Sequence, residues 1–151
     1  MTHINRNNVF VEDLFASIER LMKPSLAAKD IMLNFDLSNS QLQVKIDSYL
    51  IEQVLINLIV NARDALQDIE NPEIYVTAKS TTDGYTIIKV IDNGNGIPPE
   101  IQETIFVPFF TTKKNGSGIG LSLCKQIMML HKGKIQIHSE EHKGTAISLL
   151  F

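Results

Sequence analysis

The segment QVLINLIVNARDAL, residues 53–66, is a helix-forming stretch that is apolar over most of its length. Asn57, Asn61 and Asp64 interrupt it at a spacing of four and then three residues, which places all three on one side of a helix. An unpartnered buried amide costs roughly 1–3 kcal/mol, so this polar stripe predicts a cavity that is filled by something polar. A solvent-facing side of an ordinary amphipathic helix is the alternative for the segment taken alone.

Composition limits the classes of protein to which the chain can belong. Its 151 residues and 44% hydrophobic content predict one domain over residues 1–151, and a net charge of −3 argues against a nucleic-acid binder. The single cysteine, Cys124, excludes an internal disulfide, and neither a signal-peptide pattern nor a membrane-spanning apolar run occurs. We therefore expect a soluble chain in the cytoplasm, which is also compatible with one piece of a larger membrane-anchored protein.

The periodicity of the apolar residues predicts a mixed order of helices and strands. The predicted elements are a helix over 10–23 that Pro24 stops or kinks, strands over 31–37 and 42–46, a helix capped by Asp47 or Ser48, a hairpin of strands 73–80 and 85–92, a short helix in 98–106, a helix over 118–131 closed by Gly133, and a hairpin of strands 134–139 and 145–151. This order predicts the α+β class: a two-layer α/β sandwich whose mixed, mostly antiparallel sheet is covered on one face by about three helices.

Amide and carboxylate oxygens are ligands that suit Mg²⁺, which usually shares them with phosphate and water, so a Mg-nucleotide would explain the stripe. A place for the base is offered by IDNGNGIPP, residues 91–99, in which Asp92 closes a predicted strand. A carboxylate there is suited to accept a hydrogen bond from an exocyclic amine such as that of adenine, and Gly94 and Gly96 would let a flat ring approach the backbone. A tight turn or a Ca²⁺ loop are the alternatives, although the ladder of an EF-hand is missing.

Places for the phosphates are offered by FVPFFTTKKNGSG (106–118) and NGSGIGLSL (115–123). The first has the composition of a hinged lid, with aromatic anchors beside hydroxyls and cations, and Lys113 or Lys114 would meet a terminal phosphate. A solvated loop is its alternative. The second opens a helix with three glycines, and free backbone N–H groups there form an anion site, although it matches neither a Walker A loop nor a dinucleotide fingerprint.

In this order, the segments resemble the catalytic and ATP-binding domain of two-component sensor histidine kinases, which belongs to the Bergerat-fold group. NLIVNARDAL resembles the N box, DNGNGIP the first G box, IFVPFFTTK the F box and GSGIGLSL the second G box. HKG (131–133) and Gly144-Thr145 resemble two later motifs, with Lys132 in place of the family's glycine. The resemblance covers essentially the whole chain, and four boxes in the family's order make it specific.

The resemblance implies a role for each residue that matches a motif. Asn61 would bind Mg²⁺, Asn57 would support it and the triphosphate, and Asp92 would bind the adenine amine with Thr145 nearby. Asn57 and Lys113 are the residues expected to act in catalysis. The remaining nucleotide contacts implied in this way are Asp64, Gly94, Gly96, Ile97, Phe110, Thr111, Thr112, Lys113, Gly116, Ser117, Gly118, Ile119, Gly120 and Leu121.

The reaction that the resemblance implies is transfer of the γ-phosphate of ATP to a histidine on a separate dimerisation helix domain, with a response regulator acting downstream. ATP-hydrolysing relatives carry glutamate where Asn57 stands, and an amide cannot take a proton at neutral pH, so Asn57 favours phosphoryl transfer over hydrolysis. None of the four histidines is followed by the acidic residue usual after the family's phosphoacceptor. We therefore expect the phosphoacceptor domain to be absent from this chain, and the chain alone to be a monomer with little autophosphorylation.

Three other functions are compatible with the same residues. They are an anti-sigma-type serine kinase, a hydrolysing ATPase module and a nucleotide-binding pseudokinase. The extended Phe-Thr-Thr-Lys segment disfavours the serine kinase, and Asn57 disfavours the hydrolysing ATPase. The intact boxes disfavour the pseudokinase.

Overall fold

The computed structural model describes residues 3–107 and 120–151. Its elements, in chain order, are β1 (Asn7–Phe10), α1 (Val11–Ala27), β2 (Met32–Leu37), β3 (Gln43–Ile46), α2 (Ser48–Ala65), β4 (Glu73–Ser80), β5 (Thr86–Asp92), α3 (Pro99–Gln102), α4 (Gly120–Leu130), β6 (Lys134–Glu140) and β7 (Gly144–Leu150). Within these ranges no helix has both the length and the apolar character needed to span a membrane.

Five strands form the main sheet, in the order β2-β4-β5-β7-β6. β2 runs parallel to β4, and the other neighbouring pairs of this sheet are antiparallel. Alternate side chains of the central strands are buried, among them Ile74 and Val76 on β4 and Ile88 and Val90 on β5, because successive residues of a strand point to opposite faces. The expected α+β sandwich with a mixed, mostly antiparallel sheet is confirmed.

Helices α1, α2 and α4 pack on the sheet, and α2 lies between the other two. The apolar side of α2 is fully buried, with Val54, Leu55 and Ile59 at 0% exposure. Burying a side chain of this size stabilises the fold by roughly 1.5–3 kcal/mol. The core therefore fixes the rotation of α2 about its axis, and with it the direction in which its polar stripe points.

Asp47 fixes the start of α2. Its Oδ1 accepts a hydrogen bond of 3.3 Å from the backbone N–H of Leu50. This contact satisfies one of the donors that a helix leaves open at its first turn, so Asp47 rather than Ser48 is the cap. The other carboxylate oxygen accepts a hydrogen bond of 3.1 Å from the backbone N–H of Asn5, which ties the N-terminal segment to the same point.

The strands predicted over 31–37 and 42–46 belong to two different sheets. β2 joins the main sheet, whereas β3 pairs antiparallel with β1, a strand that the apolar pattern does not predict. Phe10 lies in β1 opposite Gln43 and is 38% exposed, so its prediction as a member of the first helix is wrong. Its extended backbone carries the pairing with β3 and the helix begins one residue later.

Pro24 does not stop α1, which continues to Ala27. A proline inside a helix removes one N–H donor but keeps its carbonyl, and the Pro24 carbonyl accepts a hydrogen bond of 3.1 Å from the backbone N–H of Ala28. Leu26, in the turn after the proline, is fully buried. Its burial helps to hold this last turn against the core.

The end of α4 differs from the prediction that Gly133 closes it. The left-handed residue is Lys132, with φ +57°. Its backbone N–H bonds to the carbonyl of Met129 and that of Gly133 to the carbonyl of Met128, each at 2.9 Å, which is the Schellman pattern. Gly133 is needed for another reason: a methyl group there would lie 2.5 Å from the carbonyl oxygen of Leu150.

Candidate functional site

The polar stripe of α2 lies on the side of the helix that the core leaves uncovered. Asn57 and Asn61 are half-buried, and Asp64 is exposed near the end of the helix. Arg63 Nε lies 3.6 Å from Asp64 Oδ1. The two amides are therefore neither in the core nor in open solvent, which is the position expected of side chains that border a cleft.

The start of α4 faces this stripe. A methyl group added to Gly120, the first residue of α4, would lie 3.5 Å from Asn57 Oδ1. Both residues are half-buried, and Leu121, which follows, packs against the core. The described part of α4 therefore begins beside the polar stripe of α2.

Asp92 is the last residue of β5 and is 9% exposed. Residues alternate along the strand, so its side chain shares the buried face of Ile88 and Val90. Its Oδ1 accepts a hydrogen bond of 2.8 Å from the backbone N–H of Gly94, and the backbone of Thr145 donates a second. Burial raises the pKa of Asp92 to about 6, against the opposing effect of these two backbone bonds.

The loop after Asp92 packs on the last turn of α2. A methyl group on Gly94 would lie 2.6 Å from the carbonyl oxygen of Ala65, so only glycine allows this close approach. Gly96 has φ +73°, and a methyl group there would overlap the carbonyl of Glu140. The tight loop thus lies beside Ala65, which is about 12 Å along the helix axis from Asn57.

A set of hydrogen bonds holds the next part of this loop against the strands β6 and β7. The backbone N–H of Ile97 donates to Ser139 Oγ at 2.8 Å, and Gln102 Nε2 donates to the carbonyl of Ile97 at 2.7 Å. Ser139 Oγ also lies 2.9 Å from Thr145 Oγ1. Thr145 is 8% exposed and stands opposite Asp92 in the pairing of β5 with β7.

Ser139 and Gln102 are not among the residues predicted from the motifs. One pattern does single out Ser139: it follows Ile135 and Ile137 at a spacing of two, so it lies on the inward side of β6 where an apolar residue is expected. Gln102 has no such pattern. It is recognisable only from its contacts in the folded chain.

Some predicted site residues lie outside the described residues. They are Phe110, Thr111, Thr112, Lys113, Gly116, Ser117, Gly118 and Ile119. The residues that the structure brings to one region are Asn57, Asn61, Asp92, Gly94, Gly96, Ile97, Gly120, Leu121 and Thr145, with Asp64 at its exposed margin. Within 3–107 and 120–151, no group of three or more His, Cys, Asp or Glu side chains is arranged to hold a metal.

Comparison with solved structures places this architecture among histidine kinases. The catalytic domain of histidine kinase ThkA, in a nucleotide-free form, is 33% identical with a TM-score of 0.87, over 98% of this chain and 95% of that one. ThkA in complex with the response regulator protein TrrA is 30% identical with a TM-score of 0.80, over 97% of this chain and 41% of that one.

Curated relatives are sensor kinases of greater length. The sensor histidine kinase ZraS of Salmonella typhimurium is 33% identical over 147 residues, which is 97% of this chain and 31% of that protein. The alginate biosynthesis sensor protein KinB of Pseudomonas aeruginosa is 34% identical over 140 residues, 91% of this chain and 23% of that protein. The chain thus spans less than a third of the length of these two relatives.

A family model matches the part of the chain that carries the candidate site. The model for "Histidine kinase-, DNA gyrase B-, and HSP90-like ATPase" matches residues 46–151, a range that runs from just before α2 through the end of β7. It therefore includes the polar stripe, the loop after Asp92 and the start of α4. With this match and the likeness to the ThkA catalytic domain, the chain belongs to the histidine kinase-, DNA gyrase B- and HSP90-like ATPase family.

Proposed function

We propose that residues 1–151 form the catalytic, ATP-binding domain of a sensor histidine kinase. The domain binds Mg-ATP and transfers the γ-phosphate to a histidine on a separate dimerisation helix domain. The observation that carries the proposal is that one helix, α2, borders both ends of the site. Gly94 approaches its last turn at Ala65, and Gly120 approaches Asn57 two turns earlier.

The base lies at the Asp92 end of the site. The buried carboxylate of Asp92 accepts a hydrogen bond from the exocyclic amine of adenine, and Thr145 beside it contributes a hydroxyl group. Gly94 and Gly96 leave room for the flat ring against the backbone. A buried carboxylate whose pKa is raised carries an energetic cost in the free protein, and a ligand that donates to it offsets this cost.

The phosphates lie at the Asn57 end. The N-terminus of a helix favours anions, and Gly120 in the first described turn of α4 lies beside the amide of Asn57. Lys113 and its neighbours in 110–119 contribute further phosphate contacts, as the family resemblance implies. Asn61, one turn from Asn57, would hold Mg²⁺ through its side-chain oxygen. A single amide oxygen fits this ion because Mg²⁺ in nucleotide sites takes most of its ligands from phosphate and water.

The transfer depends on positioning and on charge. The bond between the γ-phosphorus and the bridging oxygen breaks, a bond to the histidine nitrogen forms, and ADP leaves. Mg²⁺ held there would neutralise part of the phosphate charge. Asn57 orients the phosphates and takes no proton, since an amide is not a base at neutral pH. Catalysis of this kind needs aligned groups rather than a covalent step on the protein.

The phosphoacceptor is supplied from outside the described chain. His131 is buried, and both of its ring nitrogens are engaged, Nε2 with the Asp47 N–H at 3.0 Å and Nδ1 with the Ile127 carbonyl at 2.8 Å. His3, His138 and His142 are exposed, and none of them is followed by an acidic residue. We propose the dimerisation domain as the acceptor in the cytoplasm and a response regulator as the later partner, the class of protein bound by ThkA in one similar structure.

The direct test mixes the chain with a dimerisation helix domain and ATP labelled on the γ-phosphate. We expect label on a histidine of that domain, as an acid-labile phosphate. Asn61→Ala should remove the transfer because it deletes the proposed Mg²⁺ ligand, and the matched change Asn8→Ala on the exposed face of β1 should leave it intact. Label on a serine would instead indicate a serine kinase, and phosphate release without an acceptor would indicate a hydrolase.

A further inference from the structure

Ser139 sits at the centre of three polar contacts at the base end of the site. Its Oγ accepts a hydrogen bond of 2.8 Å from the backbone N–H of Ile97. The same oxygen lies 2.9 Å from the carbonyl oxygen of Gly144 and 2.9 Å from Thr145 Oγ1. A hydroxyl group has one proton to donate and two lone pairs to accept with, so these three contacts use its full capacity.

One arrangement of protons satisfies all three contacts. The Gly144 carbonyl has no proton, so Ser139 must donate its own proton there. Thr145 must then donate its proton to Ser139, because two hydroxyl oxygens 2.9 Å apart repel each other unless a proton lies between them. The alternative, in which Ser139 donates to Thr145, leaves its contact with Gly144 without a proton. Thr145 Oγ1 therefore turns only lone pairs towards its remaining surroundings.

The oxygen of Thr145 lies on the same face of the sheet as the carboxylate of Asp92. The two residues stand directly opposite each other on β5 and β7, and residues in this relation share a face. They are 8% and 9% exposed. The polar edge of the base end thus consists of hydrogen-bond acceptors, one from the carboxylate and one from the threonine hydroxyl.

We propose that Ser139 is a positioning residue that sets the base specificity of the site, an assignment that rests on the proposed function. By accepting the hydrogen bond of the Thr145 hydroxyl, Ser139 leaves only the lone pairs of that oxygen facing the site. An edge made of acceptors matches the amine at position 6 of adenine, which has two N–H donors. It repels the carbonyl oxygen that stands at the same position in hypoxanthine and guanine.

Loss of the Ser139 hydroxyl has two separable effects. The Thr145 hydroxyl becomes free to rotate and to donate to a carbonyl oxygen on the base, which weakens the discrimination. The backbone N–H of Ile97 also loses its acceptor, which loosens the loop for every nucleotide alike. Gln102 provides the control for the second effect, because its Nε2 donates to the carbonyl of the same Ile97 and to the backbone carbonyl of Ser139, so its removal leaves both hydroxyl groups in place.

The test measures the affinities for ADP and IDP, which differ in the group at position 6 of the base, by titration calorimetry. We expect the wild type to prefer ADP, and Ser139→Ala to reduce the ratio of the two affinities about tenfold. Gln102→Ala should lower the affinity for both nucleotides and leave the ratio of the two affinities unchanged. Thr145→Val, which keeps Ser139 in place, should reduce the ratio as Ser139→Ala does, and the double variant should reduce it no further.

An unchanged ratio in Ser139→Ala or in Thr145→Val would overturn the assignment, and so would an equal loss of discrimination in Gln102→Ala. Should Ser139→Ala fail to fold by circular dichroism, Thr145→Val and Ser139→Thr, which keeps a hydroxyl and should keep the ratio, decide the matter. A wild type that binds neither nucleotide would instead refute the proposed function. The role of Ser139 and the proposed function are tested separately, because the first predicts the ratio of the ADP and IDP affinities and the second predicts that a nucleotide binds at all.

Discussion

His131 Nε2 accepts a hydrogen bond of 3.0 Å from the backbone N–H of Asp47, the residue that caps α2. Its Nδ1 lies 2.8 Å from the carbonyl of Ile127, one turn back in α4. Since a carbonyl only accepts and an N–H only donates, the ring is neutral and carries its proton on Nδ1. One buried side chain thus joins the end of α4 to the start of α2, the two helices that border the proposed nucleotide site.

Replacing His131 should therefore destabilise the fold through a specific bond. We expect His131→Leu to lower the free energy of unfolding by about 1–3 kcal/mol, because it leaves the Asp47 N–H without an acceptor. His131→Gln offers an oxygen to that N–H and should lose less. Urea denaturation measures both, and equal losses in the two variants would show that the hydrogen bond contributes nothing.

Lys132→Gly should stabilise the chain by about 1 kcal/mol, since Lys132 holds the left-handed conformation that a side chain disfavours. The neighbouring change Gly133→Ala should do the opposite, because its methyl group would meet the carbonyl oxygen of Leu150 at 2.5 Å. Thermal unfolding of both variants measures the difference. A less stable Lys132→Gly variant would contradict the explanation by backbone conformation.

Gly96→Ala should weaken nucleotide binding as well as stability. Its methyl group would overlap the Glu140 carbonyl, so the loop that follows Asp92 must move away from β6. Gly84 is the matched control: it also has a positive φ, of +91°, but a methyl group there has nothing within 4 Å. We expect Gly84→Ala to cost about 1 kcal/mol of stability and no affinity. Calorimetry with ADP that finds equal affinities in the two variants would count against the role of the loop.

Local sequence patterns predict the elements well and their partners poorly. The hairpin of β4 and β5 lies within a residue of its predicted bounds, because alternation and a glycine turn are encoded in neighbouring residues. The pairing of β2 with β4 joins segments about 40 residues apart, with β3 and α2 between them along the chain. Nothing local to residues 31–37 distinguishes this parallel partner from β3.

Local sequence also predicts some residues of the candidate site and misses others. Asp92, Gly94 and the stripe on α2 are predicted because their residue types are unusual for the elements that carry them. Ser139 is not, because its role depends on contacts with Ile97 and Thr145 that only the folded chain creates. A polar residue at an inward position of β6 is a visible pattern, but the pattern alone does not say what the hydroxyl contacts.

The pKa of Asp92 predicts opposite effects of acid on folding and on binding. Burial raises this pKa from 3.8 to about 6, so the folded form holds the proton more tightly than the unfolded chain does. The contribution of Asp92 to stability is therefore fully present below pH 3.8 and lost as the pH rises through about 6. Adenine needs the ionised acceptor, so affinity should fall as the pH drops below about 6. Calorimetry with ADP at pH values on both sides of about 6 measures the midpoint of this fall in affinity. The affinity of Asp92→Asn should not change over the same pH range.

The most direct measurement compares Asp92→Asn with the wild type in both thermal unfolding and ADP titration. The asparagine keeps the shape and removes the buried charge, so the nucleotide-free domain should gain stability at neutral pH, by less than about 3 kcal/mol because one oxygen must serve the N–H groups of both Gly94 and Thr145. Its affinity for ADP should fall sharply, because the amine of adenine loses its charged acceptor. A variant that binds ADP as tightly as the wild type would contradict a nucleotide site at Asp92.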